Sequence, residues 1–339
     1  MRKIVIITDV WHPQVNGVMT ILEKIIGLLK QNDFSVTVIH PGLFFTVPMP
    51  FYPEIKMPLM TRNKIRKILK KENPDYVHIV TEGLLGFAGR AVCMKAGLKF
   101  TTSYHTHFPH YIKLRVGALF NATYGYLRWF HNAGERVMVC SESLKNELES
   151  RGFKRVAMWP YGVDTNLFTK NTRAHVPEYL INIDEPIFFY LGRIATEKDV
   201  EEFLKCSLPG KKIVIGDGPD RKKLEKKYGK DFHFVGCVRG QELVDLISLC
   251  DVMVFPSKTD TFGLTIIESM SCGLPVAAHK VMGPVDIITQ GVDGYMDEDL
   301  SKAALACVGL SADSCRKKAL TYSWETSLEM FILGLVKVK

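Results

Sequence analysis

Arg193 and Lys198 stand five residues apart in LGRIATEKDVEEFL, just after the apolar run IFFY. Two cations at the carboxyl end of a strand suit a diphosphate. Both can neutralise the charge that develops on a leaving nucleoside diphosphate. In isolation the same pair also reads as two solvated surface charges. A second segment, SKTDTFGLTIIESMSCGLPVAAH, follows the apolar run VMVFPS. Thr261-Phe262-Gly263-Leu264 spells a turn, and a helix opens near Leu264 or Thr265. Its free N–H groups suit a phosphate or sugar oxygen. Asp260, before the turn, can accept hydrogen bonds from sugar hydroxyls. Glu268, near the first turn of the helix, can reach a ribose diol, as acidic residues do at other nucleotide sites. The competing reading makes Asp260 a helix cap and Glu268 a dipole partner.

Weaker signals lie elsewhere. Gly17 closes the loop TDVWHPQVNGV and opens a helix, where a bare backbone lets an anion approach free N–H groups. IVIGDGPDRKKL carries Gly216 and Gly218 but has Arg221 where a dinucleotide fingerprint needs its third glycine, so a tight structural turn competes with ligand contact. His105, His107 and His110 cluster in TTSYHTHFPHY. Their spacing is not H-E-x-x-H and no nearby acid completes a metal site, so no metal is expected.

These residues need a scaffold that alternates strand and helix. RKIVIIT, SVTVIH, YVHIV, KFTTSY and RVMVC predict strands in the first half, and IFFYLGR, KKIVIGDG, FHFVG, VMVFPS and PVAAH in the second. Helical patterns between them argue for parallel α/β layers. With 339 residues the chain suits two domains. We expect two Rossmann-like domains facing across a cleft: residues 1–165 with a returning C-terminal helix at about 322–339, and residues 166–321. Eight cysteines are scattered without a C-x-x-C pair, which fits buried reduced thiols. The opening MRKIVIITD has no cleavage site, and no apolar run reaches membrane-spanning length. Up to Asp164 the chain has 22 Lys and Arg against 12 Asp and Glu; beyond it, 22 against 24. Such asymmetry suggests that the first half meets an anionic surface.

Taken together, the motifs resemble the GT4 family of retaining glycosyltransferases with the GT-B fold. The matching elements are N-G-V at 16–18, Y-H-T at 104–106, P-Y-G-V-D at 160–164, L-G-R…E-K at 191–198, G-D-G-P at 216–219 and D-T-F-G-L-T-I-I-E at 260–268. The start of the chain and S-Y-H-T-H-F-P look most like the branch of lipid-directed mannosyl-, glucosyl- and sulfoquinovosyltransferases. The resemblance implies that Arg193 and Lys198 hold the diphosphate, Glu268 the ribose hydroxyls, and Asp260 with the amides of Phe262, Gly263 and Leu264 the donor sugar and its phosphate. Thr261, Thr265 and Val238 join this substrate-binding set. His105 is implied to lie near the donor sugar and to assist the transition state through its backbone carbonyl, and Gly17 to let its loop close over the phosphate. No metal or cofactor is implied; a UDP- or GDP-linked sugar is the substrate. Two departures stand out: Asp260 where many relatives carry Glu, and Tyr161 where Asn is commoner.

For the acceptor, RNKIRKILKKE (62–72) places Arg62, Lys64, Arg66, Lys67, Lys70 and Lys71 around apolar Ile65, Ile68 and Leu69. That pattern suits an anionic bilayer. Residues 108–130 interleave aromatic residues with Lys113, Arg115 and Arg128. A solvated face over ordinary core is the alternative for both. We therefore expect a cytoplasmic enzyme, peripheral on the inner face of the membrane, transferring a hexose to a glycerolipid or lipid-linked glycan. A sugar-nucleotide epimerase of the same fold and a nucleic-acid binder are the rivals. The second lacks any nucleic-acid motif, and no nucleic-acid partner is expected.

Overall fold

Short runs of β-branched and aromatic residues between turn-formers become the strands of two parallel sheets in the computed structural model, which describes residues 1–12, 16–49, 52–110, 120–172, 174, 176–180 and 184–339. One compact unit is Met1–Tyr161 with Trp324–Lys339, the other Gly162–Ser323.

The first unit runs β1 (Arg2–Ile7), α1 (Gly17–Gln31), β2 (Phe34–Ile39), β3 (Thr46–Met49), β4 (Tyr52–Pro58), α2 (Thr61–Glu72), β5 (Tyr76–Ile79) and α3 (Leu84–Ala96). It continues with β6 (Thr101–Ser103), α4 (Phe120–His131), β7 (Arg136–Val139), α5 (Glu142–Ser150) and β8 (Val156–Met158). Its main sheet has the order β2-β1-β5-β6-β7-β8. Ile4 to Ile7 of β1 are at most 1% exposed, as a central strand covered on both faces requires. Asp9 ends that strand and caps a helix far along the chain. Its carboxylate accepts from the Leu85 N–H at 2.7 Å, the Gly86 N–H at 3.2 Å and the Thr81 hydroxyl at 2.8 Å. The free N–H groups at the start of α3 are satisfied in this way.

The second unit runs β9 (Ile187–Leu191), α6 (Val200–Leu204), β10 (Lys211–Ile215), α7 (Arg221–Tyr228), β11 (His233–Gly236), α8 (Gly240–Ser248) and β12 (Val252–Phe255). Then come α9 (Leu264–Ser271), β13 (Val276–Ala278), α10 (Pro284–Ile287), β14 (Gly294–Met296), α11 (Leu300–Cys307) and α12 (Ala312–Ala319). The sheet order is β11-β10-β9-β12-β13-β14. Progression reverses between β9 and β12, and open α/β sheets gather ligands beyond the carboxyl ends of the strands at such a point.

The final helix, α13 (Trp324–Gly334), belongs to the first unit. Phe331 lies 5.0 Å from the His78 ring and 4.7 Å from Trp159. Gly334 sits where a Cβ would be 2.5 Å from Met138 Cε. The helix stops there, short of the expected Lys339. Val338 instead donates to the Asp75 carbonyl at 3.0 Å and accepts from the Lys99 N–H at 3.1 Å. Strands β3, β4, β8 and β14 were not anticipated from sequence; three of the four have three or four residues, and Pro48, Pro53 and Pro58 break the β3–β4 pattern.

Candidate active site

Loops that leave neighbouring strands bring two of the predicted donor residues, Lys198 and Asp260, together. Arg193 follows β9 and is exposed; Lys198 ends a short 3-10 turn, Thr196–Lys198. Asp260 lies in the loop after β12, the strand beside β9. The Lys198 ammonium is ion-paired with the Asp260 carboxylate, both side chains mostly buried. Lys198 and Asp260 are thus brought into contact across 62 residues of sequence. Asp260 makes no cap: α9 starts from Gly263, which has φ 102° and no side-chain cap hydrogen bond. The loop is tied down further where the Thr259 hydroxyl donates to the Glu197 carbonyl at 2.9 Å.

The α9 start presents Thr261 and Phe262, both buried, and half-buried Gly263, Leu264 and Thr265. The Phe262 ring rests edge-on against Tyr322 at 5.7 Å. Glu268 is the fifth residue of α9, just past its first turn. A dipole partnership is correspondingly weak there. Burial pushes its carboxyl up to about 7, because the charged form would give up its hydration. Val238, half-buried, follows β11.

Gly283 supports this loop and was not anticipated. Its φ is 87°, and a Cβ there would lie 2.7 Å from the Phe262 carbonyl oxygen and 3.2 Å from that of Asp260. Only the dipeptide Gly283-Pro284 hinted at a special turn. Gly216 and Gly218 take the structural alternative. Their Cβ atoms would fall 1.9 Å from the Gly192 oxygen and 2.2 Å from the Ile194 oxygen. They let the loop after β10 lie against the loop that carries Arg193. A cavity of about 410 Å³, lined in part by Pro186, Asp251 and Pro275, sits at the opposite, amino ends of β9, β12 and β13 and holds none of these residues.

In the first unit, Gly17 is the exposed first residue of α1, whose start is capped by the Asn16 side chain accepting from the Met19 N–H at 3.0 Å. Residues 13–15 of that loop are outside the described residues. His105 follows β6 and is nearly buried. Its Nδ1 pairs with the Tyr161 hydroxyl at 2.7 Å and its Nε2 with the Ser103 hydroxyl at 2.8 Å. Ser103 donates to the Val80 carbonyl at 3.3 Å. The network closes if Nε2 carries the proton and Nδ1 accepts from Tyr161. Burial holds the ring neutral, with a pKa of about 3. Both ring nitrogens being committed, His105 can meet a ligand through its backbone.

The histidine triplet needs one correction. Sequence offered no nearby acid, but α5 brings Glu147 beside His107 and His110. Glu147 lies 40 residues after His107, so spacing could not reveal the contact.

The first-unit surface also differs from expectation. On α2, Ile65 and Leu69 are buried in the unit's own core, so that face is not available to lipid; the six cations are exposed. Apolar exposure comes instead from Met60, Phe87, Tyr126 and Trp129. Phe87 and Tyr126 each lie about 6 Å from the Trp129 ring. Arg62 approaches Phe87 at 5.6 Å, and Arg90 covers Trp129 at 3.6 Å. Lys113 and Arg115 fall outside the described residues.

Residues 15–167 match the family model Glycosyltransferase Family 4, and residues 171–307 match Glycosyl transferases group 1. The chain is 31% identical to the sulfoquinovosyl transferase of Arabidopsis thaliana over 73% of its own length and 51% of that protein. It thus spans about half of that relative. It is 27% identical to a GDP-mannose-dependent alpha-mannosyltransferase of Mycolicibacterium smegmatis, covering 95% of this chain and 94% of the other. Identity to the alpha-monoglucosyldiacylglycerol synthase of Acholeplasma laidlawii is 27%, over 73% and 68% of the two chains. Among solved structures, sucrose-phosphate synthase from Thermosynechococcus elongatus superposes over 98% of both chains with a TM-score of 0.80 and 21% identity, which establishes the GT-B fold.

Proposed function

Because this chain belongs to glycosyltransferase family 4, we propose that it transfers a hexosyl group from a UDP- or GDP-sugar to a hydroxyl of a membrane glycerolipid or lipid-linked glycan, with retention at the anomeric carbon. The observation that carries the donor half is the Lys198–Asp260 pair at the switch point, directly before the N-terminus of α9. In this reading Lys198 and Arg193 bind the diphosphate and stabilise it as it leaves. Lys198 then exchanges part of its pairing with Asp260 for phosphate oxygens, which releases Asp260 towards the sugar. The α9 amides complete the phosphate cradle, Glu268 accepts from the ribose diol, and Thr261, Thr265 and Val238 line the donor. The acceptor oxygen attacks from the face the diphosphate leaves, and a leaving phosphate oxygen takes its proton. None of these steps calls on a metal or a cofactor.

The lipid acceptor is supported by the named activity of the Acholeplasma relative, a monoglucosyldiacylglycerol synthase. The first unit agrees, with an exposed row of cations beside the Phe87–Trp129–Tyr126 cluster. No helix among the described residues is long and apolar enough to cross a membrane. We place the protein at the cytoplasmic face of the membrane, held by charge and a few inserted rings.

Thermal-shift measurements against UDP-, GDP- and ADP-sugars, followed by product analysis with lipid acceptors, test the reading. Stabilisation by one nucleotide sugar and a glycosylated lipid product are expected. If no nucleotide sugar or diphosphate stabilises the protein, the donor site is wrong. Isomerised nucleotide sugar without acceptor would favour an epimerase.

A further inference from the structure

The segment after β6 and the helix α5 meet at a group of side chains that the transfer reaction does not use. His107, His110 and Glu147 each offer one ligand atom, and these atoms all lie within 4.8 Å of one another. His107 Nε2 and Glu147 Oε2 are 3.3 Å apart. Two ligands at about 2.0–2.1 Å from a tetrahedral zinc ion are separated by about 3.3–3.4 Å. The two imidazole rings lie with centres 3.8 Å apart and planes tilted by 39°, so they must turn apart somewhat to share one ion. We propose that His107, His110 and Glu147 bind one divalent transition-metal ion, zinc by ligand type, and that this ion fastens the segment after β6 to α5.

The surroundings match what such a site needs. Metal-ligating carboxylates are held by hydrogen bonds to their other oxygen. Here Tyr124 donates to Glu147 Oε1 at 2.6 Å and Arg151 Nε donates to the same oxygen at 3.0 Å. Oε1 is therefore anchored while Oε2 faces His107, whose Nε2 also lies 3.0 Å from the Tyr124 hydroxyl and must give up that hydrogen bond to take an ion. Arg151 is itself fixed, with its guanidinium carbon 3.9 Å from the Tyr124 ring centre. Its positive charge opposes a cation nearby, so the site is weaker than one with the same ligands and no arginine. Two imidazoles and one carboxylate favour zinc over calcium or magnesium, which take oxygen ligands. Three protein ligands leave a fourth position for water. His107 is buried, whereas His110 and Glu147 are half-buried, so an ion can enter from solvent.

The measurement is metal binding by the whole chain, read without reference to transfer activity. Cys237 is an exposed thiol and is replaced by Ser throughout, to remove a competing ligand. Chelator-stripped protein is dialysed against cobalt as a visible surrogate for zinc, and bound metal is counted. One equivalent is expected, with the intense absorption of a tetrahedral ion and a melting midpoint that rises with metal concentration. His110→Ala and Glu147→Gln should each lose the absorption and the midpoint shift. Arg151→Gln should tighten binding. The proposal is overturned if the stripped Cys237→Ser chain, with all three ligands intact, takes up no cobalt above background. Uptake that persists in both ligand variants overturns it as well. Should His110→Ala fail to fold, the isosteric Glu147→Gln decides.

Discussion

Lys198 and Asp260 hold one another in the free protein, and this sets what substitution does. Lys198→Ala removes the cation that meets the diphosphate and leaves Asp260 facing it. We expect kcat to fall by about 10²–10³, the scale for losing one preorganised charge-stabilising group, with the fold intact by circular dichroism. Glu268 makes a prediction in pH. Its folded pKa is about 7, against 4.5 for an ordinary glutamate. Raised values mean that the folded state binds the proton more tightly than the unfolded chain. That contribution to stability is complete below about pH 4.5 and is lost as pH climbs through about 7. Glu268→Gln should flatten this slope in denaturant melts across pH 4–8. If Glu268 accepts from the ribose as a carboxylate, the donor KM should also rise below pH 7 in the wild type and not in the variant. Tyr161 departs from the commoner Asn, and its hydroxyl occupies His105 Nδ1. Tyr161→Phe leaves that buried nitrogen without this donor and should cost about 1–3 kcal/mol in a melt. Tyr161→His, which keeps a donor, should recover part of it.

At the scale of elements, the glycines that shape the site act through backbone contact. Gly283→Ala must place a methyl group against the carbonyl oxygens of Phe262 and Asp260, in a conformation that L-residues avoid. The expected destabilisation is about 1–3 kcal/mol, with weaker nucleotide protection of the 256–268 loop in hydrogen exchange. Ten expected strands were readable because buried parallel strands need continuous apolar runs between turns, as Ile4–Ile7 and Val252–Phe255 show. Length alone did not decide the rest: β8 and β14, which were missed, have three residues each, and so do β6 and β13, which were expected. Within the site, Arg193, Lys198 and Asp260 were legible as residue types at strand ends. Their pairing was suggested only by supposing two neighbouring strands. Gly283 and Glu147 were illegible because tertiary packing alone brings them to Phe262 and His107. Sequence also marked α2 as lipid-facing by its amphipathic pattern; that pattern is satisfied by core packing of Ile65 and Leu69.

At the scale of the molecule, charge and aromatic exposure separate into two measurable parts of membrane affinity. Replacing Lys67, Lys70 and Lys71 by Glu should weaken binding to anionic vesicles by well over tenfold, since each cation near such a surface contributes about 1 kcal/mol. The salt dependence should shrink in parallel. Phe87→Ser with Trp129→Ser should instead lower the residual binding that survives high salt. Equal binding of all variants in co-sedimentation would rule out this surface. The way the chain threads its two units bears on synthesis. Residues 162–323 form one uninterrupted stretch, whereas the first unit is finished only by Trp324–Lys339. On the ribosome the second unit can therefore close while the first still waits for its last helix, and Met138, Trp159 and His78 stay uncovered until the end. A released chain truncated at Ser323 should present a protease-resistant second unit attached to a partly open first one, so the amino-terminal half is the later one to mature.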